Sequence, residues 1–219
     1  MDHPINLSFS VDGRLVTVPD DGSTLLDVLR GQLGVTSTKD GCSPQGQCGC
    51  CTVLIDGQAR VSCVTPARRV TGRSVTTLEG LGAHETRAWA DAFCAAGGSQ
   101  CGFCTPGIIV RLSALRAGAL PGHFPNRDRV ARALNAHLCR CTGWQTILDA
   151  WDAYGTDYQV PDLDKAAARA TIEGRTSQTV GPGVALGGGG FATDTVPDGC
   201  LIAVPDCHGG WAVADTLPA

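Results

Sequence analysis

The chain has few aromatic residues and no long hydrophobic run. Phe, Trp and Tyr make up 5% of its 219 residues, and there is a single Met. Large side chains that could anchor a core are therefore scarce, and metal sites that tie distant segments together would compensate for them. No apolar stretch approaches the roughly 20 residues that a membrane-spanning helix needs. We therefore expect no span across a membrane.

Clusters of basic residues and nucleotide-binding motifs are also missing. The formal net charge is −4, and the pair Arg68-Arg69 is too short a basic run to bind a nucleic acid backbone. The sequence has no P-loop, dinucleotide-binding fingerprint or nucleophile elbow. We therefore expect no nucleic acid partner and no catalytic residue in this chain. The first residues lack the regions of an export signal, which favours a cytoplasmic protein.

Cysteine, by contrast, is abundant, with twelve residues in the chain. In a reducing compartment so many cysteines indicate metal ligands rather than disulfides. Eight of them form two sets of four. The first set has the spacing C-x5-C-x2-C-x11-C, close to that of plant-type ferredoxins, and consists of Cys42, Cys48, Cys51 and Cys63. The second set has the spacing C-x2-C-x34-C-x1-C and consists of Cys101, Cys104, Cys139 and Cys141. Each set predicts one iron–sulfur cluster.

Residues 1–80 show the pattern of a small α+β domain. Apolar residues alternate with polar ones up to Val11, where Asp12-Gly13 predicts a hairpin turn. Thr24 begins a capping box and a short helix, and a second hairpin turns at Asp56-Gly57. This order resembles the β-grasp of plant ferredoxins. Glycines in the loop that carries the first cysteines would let the backbone approach a cluster closely.

Residues 82–158 show four helical patterns and predict a four-helix bundle. Candidate starts are Thr105-Pro106, Asn126 and Thr142, and the third helix would carry an apolar stripe that ends at Leu138. The second set of cysteines falls at the helix junctions, so two helix N-termini would point at one anionic cluster. Zinc is the alternative for this set, because all-cysteine zinc sites commonly contain C-x2-C. The C-x1-C half is unusual for zinc and favours iron–sulfur.

Three motifs then follow one another in a specific order. They are G-C followed by C-G-C-C-T-V within residues 41–53, Q-C-G-F-C-T-P-G over residues 100–107, and L-C-R-C-T-G-W over residues 138–144. Together they resemble the small iron–sulfur subunit of the molybdenum hydroxylases, the family of xanthine dehydrogenase and aldehyde oxidase. The resemblance covers about residues 4–158.

This resemblance implies an electron-transfer subunit of an oxidoreductase with two [2Fe–2S] clusters. Its partners would be a large subunit with a molybdenum–pterin cofactor and a medium subunit with FAD. The large subunit would hydroxylate either an aldehyde or an N-heterocycle such as a purine. Gln100 and Cys141 match residues that lie against the pterin in the family. Without the resemblance, Gln100 would first be interpreted as a loop amide that hydrogen-bonds to the backbone. The second-set cluster would pass electrons to the first-set cluster.

Two features depart from the pattern of the family. The first interval is x5 where the family usually has x4, and Cys50 stands where the family usually has Ala. Cys50 lies beside Cys51, and either thiol could in principle be the third ligand. The spacing from Cys48 favours Cys51 and leaves Cys50 as a small packed thiol. An inserted loop residue could change the hydrogen bonds to the sulfurs and so shift the reduction potential.

Residues 159–219 have a different character, with a run of glycines over residues 187–190 that alone would indicate a flexible linker. The residues that follow are similar to the start of the molybdenum-binding large subunit. We therefore expect a linker and then a segment that belongs with the partner's domain. Cys200, Cys207 and His208 lack a fourth ligand and are interpreted as packing or surface residues.

Two other functions remain as alternatives. A freely diffusing ferredoxin-like carrier would explain residues 1–80 but not the rest of the chain. A zinc-stabilised interaction module without redox activity would explain only the second set. We expect Cys94 to lie in the core, and we assign no catalytic role to His84 or His137.

Overall fold

The computed structural model describes residues 6–120, 122–157, 162–177, 180–189, 191, 194, 196–197 and 199–214. The first part of the chain forms a five-stranded sheet in the order β2-β1-β5-β3-β4. Strands β1 and β5 are parallel, and the other neighbours are antiparallel. The strands are β1 (Asn6–Val11), β2 (Arg14–Pro19), β3 (Thr52–Ile55), β4 (Gln58–Val61) and β5 (Ser74–Thr76).

Both predicted hairpins are confirmed. Asp12 and Gly13 have φ angles of 51° and 78°, and Asp56 and Gly57 have φ angles of 48° and 75°. Two consecutive residues with positive φ form the turn that matches the right-handed twist of the flanking strands. The register pairs Val11 with Arg14 at the end of the first hairpin.

A short helix covers one face of this sheet. Helix α1 (Leu25–Asp27) begins with the predicted capping box, in which the Asp27 N–H donates to the Thr24 hydroxyl at 3.2 Å. A π-helical turn (Val28–Gln32) follows it directly. Leu25 and Leu29 are fully buried, and they share a core with Phe9 and Val53 of the sheet. This burial holds the helix against the sheet, because one short helical segment is marginal in water.

Four helices follow, and they form a second core. They are α2 (Ala83–Ala96), α3 (Thr105–Ala117), α4 (Arg127–Ala133) and α5 (Trp144–Ala153). The Trp89 ring packs against the rings of Phe93, Trp151 and Tyr154, which lie on α2, α5 and the end of α5. Within the described ranges no helix is long and apolar enough to cross a membrane.

The predicted caps of α3 and α5 are wrong. Helix α3 does begin at Thr105, but Cys104 occupies the N-cap position and the Thr105 hydroxyl donates to Ser99 Oγ at 3.1 Å. Gly143 occupies the N-cap position of α5, and Thr142 instead contacts a cysteine sulfur. Asn126 caps α4 as predicted, but the stripe stops before Leu138, which is 58% exposed.

The sheet and the helices meet at a contact between two glycines. A Cβ on Gly107, in the first turn of α3, would lie 2.4 Å from the carbonyl oxygen of Gly49, so only glycine fits there. Gly49 has φ +71°, and the His137 ring covers it. His137 Nε2 lies 3.1 Å from the Thr52 hydroxyl, and burial, with a smaller effect of Arg111, lowers the pKa of His137 to about 4. A neutral imidazole therefore packs between the two parts of the chain.

The tail is anchored to both parts. It contains α6 (Leu163–Ile172), a π-helical turn (Val184–Gly188) and a hairpin of β6 (Ile202–Pro205) and β7 (Trp211–Ala214). Ala185 is fully buried within the helical core, and a Cβ on Gly187 would lie 3.2 Å from Ser37. The glycine run is thus packed as far as residue 189, while residue 190 lies outside the described residues.

A buried ion pair fastens the tail to the first domain. Lys39 is fully buried, and its ammonium lies 3.0 Å from Asp194, which also pairs with Arg30 at 2.5 Å. Burial alone would raise the pKa of Asp194, but hydrogen bonds from Arg30 and Lys39 outweigh it and lower that pKa. Phe191 packs edge-on against Phe103, with ring centroids 5.1 Å apart.

Replacing Asp194 with Asn tests this anchor. The substitution keeps the side-chain shape but leaves the buried Lys39 without a counter-charge, so we expect the full chain to lose about 3 kcal/mol of unfolding free energy in urea. Asp162→Asn is the control, because its partner Lys165 is exposed and Asn still caps α6. Equal losses in the two variants would contradict the role of Asp194.

Candidate metal centres

The first set of cysteines lies in the loop before β3 and in the turn after β4. Asp40 Oδ1 accepts the N–H groups of Cys42 and Ser43 at 3.2 and 2.8 Å, which fixes the start of the loop. Cys63 lies in a 3₁₀ turn (Ser62–Val64), where the β-hairpin returns it to Cys51. The Cys63 N–H donates to Cys51 Sγ at 3.5 Å. The hairpin thus brings the distant fourth cysteine to the loop, as the sequence predicts.

The second set lies at the junctions of the helices. Cys104 is the N-cap residue of α3, and Cys101 lies three residues before it in the preceding loop. Cys139 and Cys141 lie in the loop before α5. Both helix N-termini therefore adjoin this set, as predicted, and their unpaired N–H groups favour a negatively charged ligand.

In each set the four thiols associate as two pairs. The Cys101 and Cys141 sulfurs lie 3.4 Å apart, and the Cys104 thiol hydrogen-bonds to Cys139. In the first set Cys42 contacts Cys48, and Cys63 contacts Cys51. A [2Fe–2S] cluster held by four cysteines binds two thiolates on each of its two irons. The paired arrangement fits such a cluster.

A single metal ion fits the arrangement less well. Zinc bound by four cysteines requires all four sulfurs around one point, at about 2.3 Å from the ion. Among the residues that the structure describes, no three or more His, Cys, Asp or Glu side chains converge closely enough to hold one ion. The division of each set into two thiol pairs therefore fits two-iron clusters better than the zinc alternative.

One thiol in each set has a lowered pKa, whereas burial and neighbouring thiols raise the pKa values of Cys48, Cys63, Cys104 and Cys141. Burial raises the pKa of Cys42, but N–H groups of Gln47, Gln45 and Cys48 outweigh it and lower the pKa to about 7. The hydrogen bond from Cys104 lowers the pKa of Cys139 to about 4, with the Thr142 hydroxyl and N–H contributing. The loops thus stabilise negative charge on sulfur.

One cavity is lined by all four cysteines of the second set and by Cys48 of the first set. This cavity of about 560 Å³ is lined by Cys48, Cys50, Cys104 and Cys139, together with Gly41, Cys101, Phe103, Leu138, Arg140 and Cys141. The Leu138 N–H donates to the carbonyl oxygen of Cys48 at 2.9 Å and so joins the two cysteine-bearing loops directly. Cys104 is buried on the inner side of the second set, whereas Cys101 and Cys141 are exposed on its outer side.

Gln100 is exposed, as are its neighbour Cys101 and Cys141. Its side-chain amide has no hydrogen bond to any part of the chain that the structure describes. The amide therefore does not serve as a local brace for the loop backbone. The pterin contact that the sequence predicts for Gln100 and Cys141 needs this exposure.

Several residues outside the cysteine sets were also interpreted from the sequence. Cys94 is buried in α2, as expected. Cys200, Cys207 and His208 are exposed. Sequence reasoning missed Asp40 as the acceptor that shapes the first loop, and it interpreted Thr142 as a helix cap rather than as a partner of Cys139. The position of Thr142 three residues after Cys139 was the available signal for that contact.

Comparisons with known proteins agree with this geometry. Residues 9–74 match the family model of the 2Fe-2S iron-sulfur cluster binding domain, and residues 77–152 match that of a [2Fe-2S] binding domain. The chain is 41% identical over 147 residues to the nicotine 6-hydroxylase small subunit of Paenarthrobacter nicotinovorans. The alignment covers 67% of this chain and 87% of that protein. Two domains of [2Fe–2S] type therefore follow one another here.

Longer proteins share the same region. The chain is 37% identical over 200 residues to xanthine dehydrogenase of Blastobotrys adeninivorans, covering 85% of this chain but only 14% of that protein's length. The solved structure of an aldehyde oxidoreductase from Desulfovibrio gigas aligns with a TM-score of 0.70 at 31% identity. The alignment covers 91% of this chain and 23% of the aldehyde oxidoreductase chain. The chain belongs to the family of [2Fe–2S] iron–sulfur subunits and domains of the molybdenum hydroxylases.

Proposed function

We propose that this chain is the electron-transfer subunit of a multi-subunit molybdenum hydroxylase. The observation that carries the proposal is the division of each cysteine set into two thiol pairs, with Cys48 of the first set lining the same cavity as the second set. We interpret residues 1–80 as a β-grasp [2Fe–2S] domain and residues 82–158 as a four-helix [2Fe–2S] domain. When bound, the clusters would supply one-electron redox chemistry, and the chain would contribute no catalytic residue.

The ligands of the first cluster would be Cys42, Cys48, Cys51 and Cys63. The contact between Cys51 and Cys63 supports Cys51 over Cys50 as the third ligand. The ligands of the second cluster would be Cys101, Cys104, Cys139 and Cys141. Backbone N–H groups that point at several of these sulfurs would stabilise the negative charge that four thiolates bring.

The exposure of the second set suggests the direction of electron flow. Cys141 and the unpartnered Gln100 amide would contact a molybdenum–pterin cofactor on a large subunit, as the sequence predicts. Cys104 and Cys139 line the same cavity as Cys48 of the first set, and the hydrogen bond from the Leu138 N–H to the Cys48 carbonyl oxygen connects the two loops. Electrons would leave from the first set, to FAD on a medium subunit or to another acceptor.

The substrate would be an N-heterocycle or an aldehyde that the partner hydroxylates. The named relatives act on molecules of these two classes, as their names show. None of the twelve cysteines forms a disulfide, which fits a cytoplasmic location. The hairpin of β6 and β7, which is exposed along nearly its whole length, would belong with the domain of the large subunit.

Metal analysis of the complex purified through this chain tests the function first. We expect about four Fe per chain together with Mo, because two [2Fe–2S] clusters contain four irons. Iron without Mo would favour the freely diffusing carrier. Zinc without iron would support the interaction module and contradict the proposal.

Cys42→Ser tests the separation of the two sites. The first set would lose a ligand while the second keeps all four, so we expect one of two electron paramagnetic resonance signals of the reduced protein to disappear. Cys94→Ser is the control, since Cys94 is a buried thiol outside both sets, and it should keep both signals. Loss of both signals from folded Cys42→Ser would count against independent sites.

Truncation after residue 197 tests the role of the hairpin. This change removes β6 and β7 but leaves Asp194 to pair with Lys39, so the anchor to the first domain survives. We expect both cluster signals to remain and co-purification of the large subunit to fall at least severalfold. Undiminished co-purification would show that the hairpin is not part of the subunit interface.

A further inference from the structure

Cys50 lies between the two sets of ligands without belonging to either. It is 4% exposed and occupies the position between Gly49 and Cys51 in the tightest part of the first loop. Its sulfur lines the cavity that Cys48, Cys104 and Cys139 also line. The proposed ligand sets make no use of this thiol.

The distances place the Cys50 sulfur beside a ligand sulfur of the first set. A Cβ on Gly41 would lie 3.0 Å from Cys48 Sγ and 3.2 Å from Cys50 Sγ, so both sulfurs adjoin the same point of the loop. The Cys48 sulfur is therefore one acceptor near the Cys50 thiol. The Cys50 sulfur also lies 3.7 Å from the carbonyl oxygen of Cys48.

Of these two acceptors, the sulfur becomes the stronger one when Cys48 binds iron. The carbonyl oxygen already accepts the Leu138 N–H at 2.9 Å. A thiolate ligand carries negative charge, and charged acceptors form stronger hydrogen bonds than neutral ones. Cys50 belongs to neither proposed ligand set, so cluster binding does not use its sulfur, and its S–H group is available as a donor.

A donor at this sulfur has a defined electronic effect. Hydrogen bonds to the sulfurs of an iron–sulfur cluster are one of the factors that set its reduction potential. Because the donor stabilises the additional negative charge of the reduced state, it raises the potential. Cys50 contacts the first set and lies only within electrostatic range of Cys104, so the effect falls mainly on the first cluster.

We propose that Cys50 is a positioning residue for the first cluster, whose S–H group donates to the ligand sulfur of Cys48 and raises the reduction potential of that cluster above that of the same loop with Ala. This inference rests on the proposed function, since it requires a cluster at the first set.

The test compares Cys50→Ala and Cys50→Ser in the full chain within its complex. Each is reduced stepwise and followed by electron paramagnetic resonance, with the first-cluster signal assigned by its absence in Cys42→Ser. At the wild-type midpoint we expect the ratio of reduced to oxidised first cluster to fall about threefold in Cys50→Ala. That fall corresponds to about 28 mV at 59 mV per tenfold change.

The other variants separate the hydrogen bond from packing. Cys50→Ser keeps a donor and should stay within that threefold range of wild type, and the second cluster should be unchanged in both variants. Cys94→Ala, which removes a buried thiol from α2, should leave both potentials unchanged. An iron determination on each variant confirms that the clusters are present.

Three results would overturn the inference. They are an unchanged first-cluster potential in iron-replete Cys50→Ala, equal shifts in Cys50→Ala and Cys50→Ser, or equal shifts of both clusters. If Cys50→Ala fails to retain iron, a threefold fall in Cys50→Ser would equally contradict the donor role. Wild-type complex without any [2Fe–2S] signal would instead refute the proposed function.

Discussion

The close contact of two backbones at Gly49 and Gly107 governs the arrangement of both metal centres. Because neither residue has a side chain, the first turn of α3 packs directly on the loop that carries Cys48 and Cys50. The same contact sets the cavity between the cysteine sets and allows the Leu138 N–H to reach Cys48. If the Gly49 loop and α3 lay farther apart, side chains or water would fill the space between them. Because protein interiors are tightly packed, the close contact fixes the position of one domain relative to the other.

Local chemistry made much of this fold predictable from the sequence. The two hairpins depend on Asp-Gly turns, and α1 depends on a capping box, so a few neighbouring residues determine each of them. The eight ligand candidates were found in the same way, because metal ligation requires a residue type and a spacing. The structure then supplied what spacing cannot, namely which thiols pair with each other.

The features that sequence reasoning missed depend on tertiary contacts. Thr105 and Thr142 are good capping residues, but the nearby Ser99 and Cys139 offer their hydroxyls other partners. The glycines of the tail resemble a flexible linker, yet they are small because Ser37 and Cys101 press against them. The partner of Lys39 could not be inferred, since Asp194 is 155 residues away in the chain.

The separation of Lys39 and Asp194 along the chain has a consequence for folding during synthesis. Lys39 directly precedes the loop of the first cysteine set, and its charge can leave water only once Asp194 is present to neutralise it. At synthesis rates of about 5–20 residues per second, the ribosome takes roughly 8 to 31 seconds to add the intervening residues. The buried site of Lys39, which adjoins the loop of the first cysteine set, is therefore complete only after residue 194 has been synthesised.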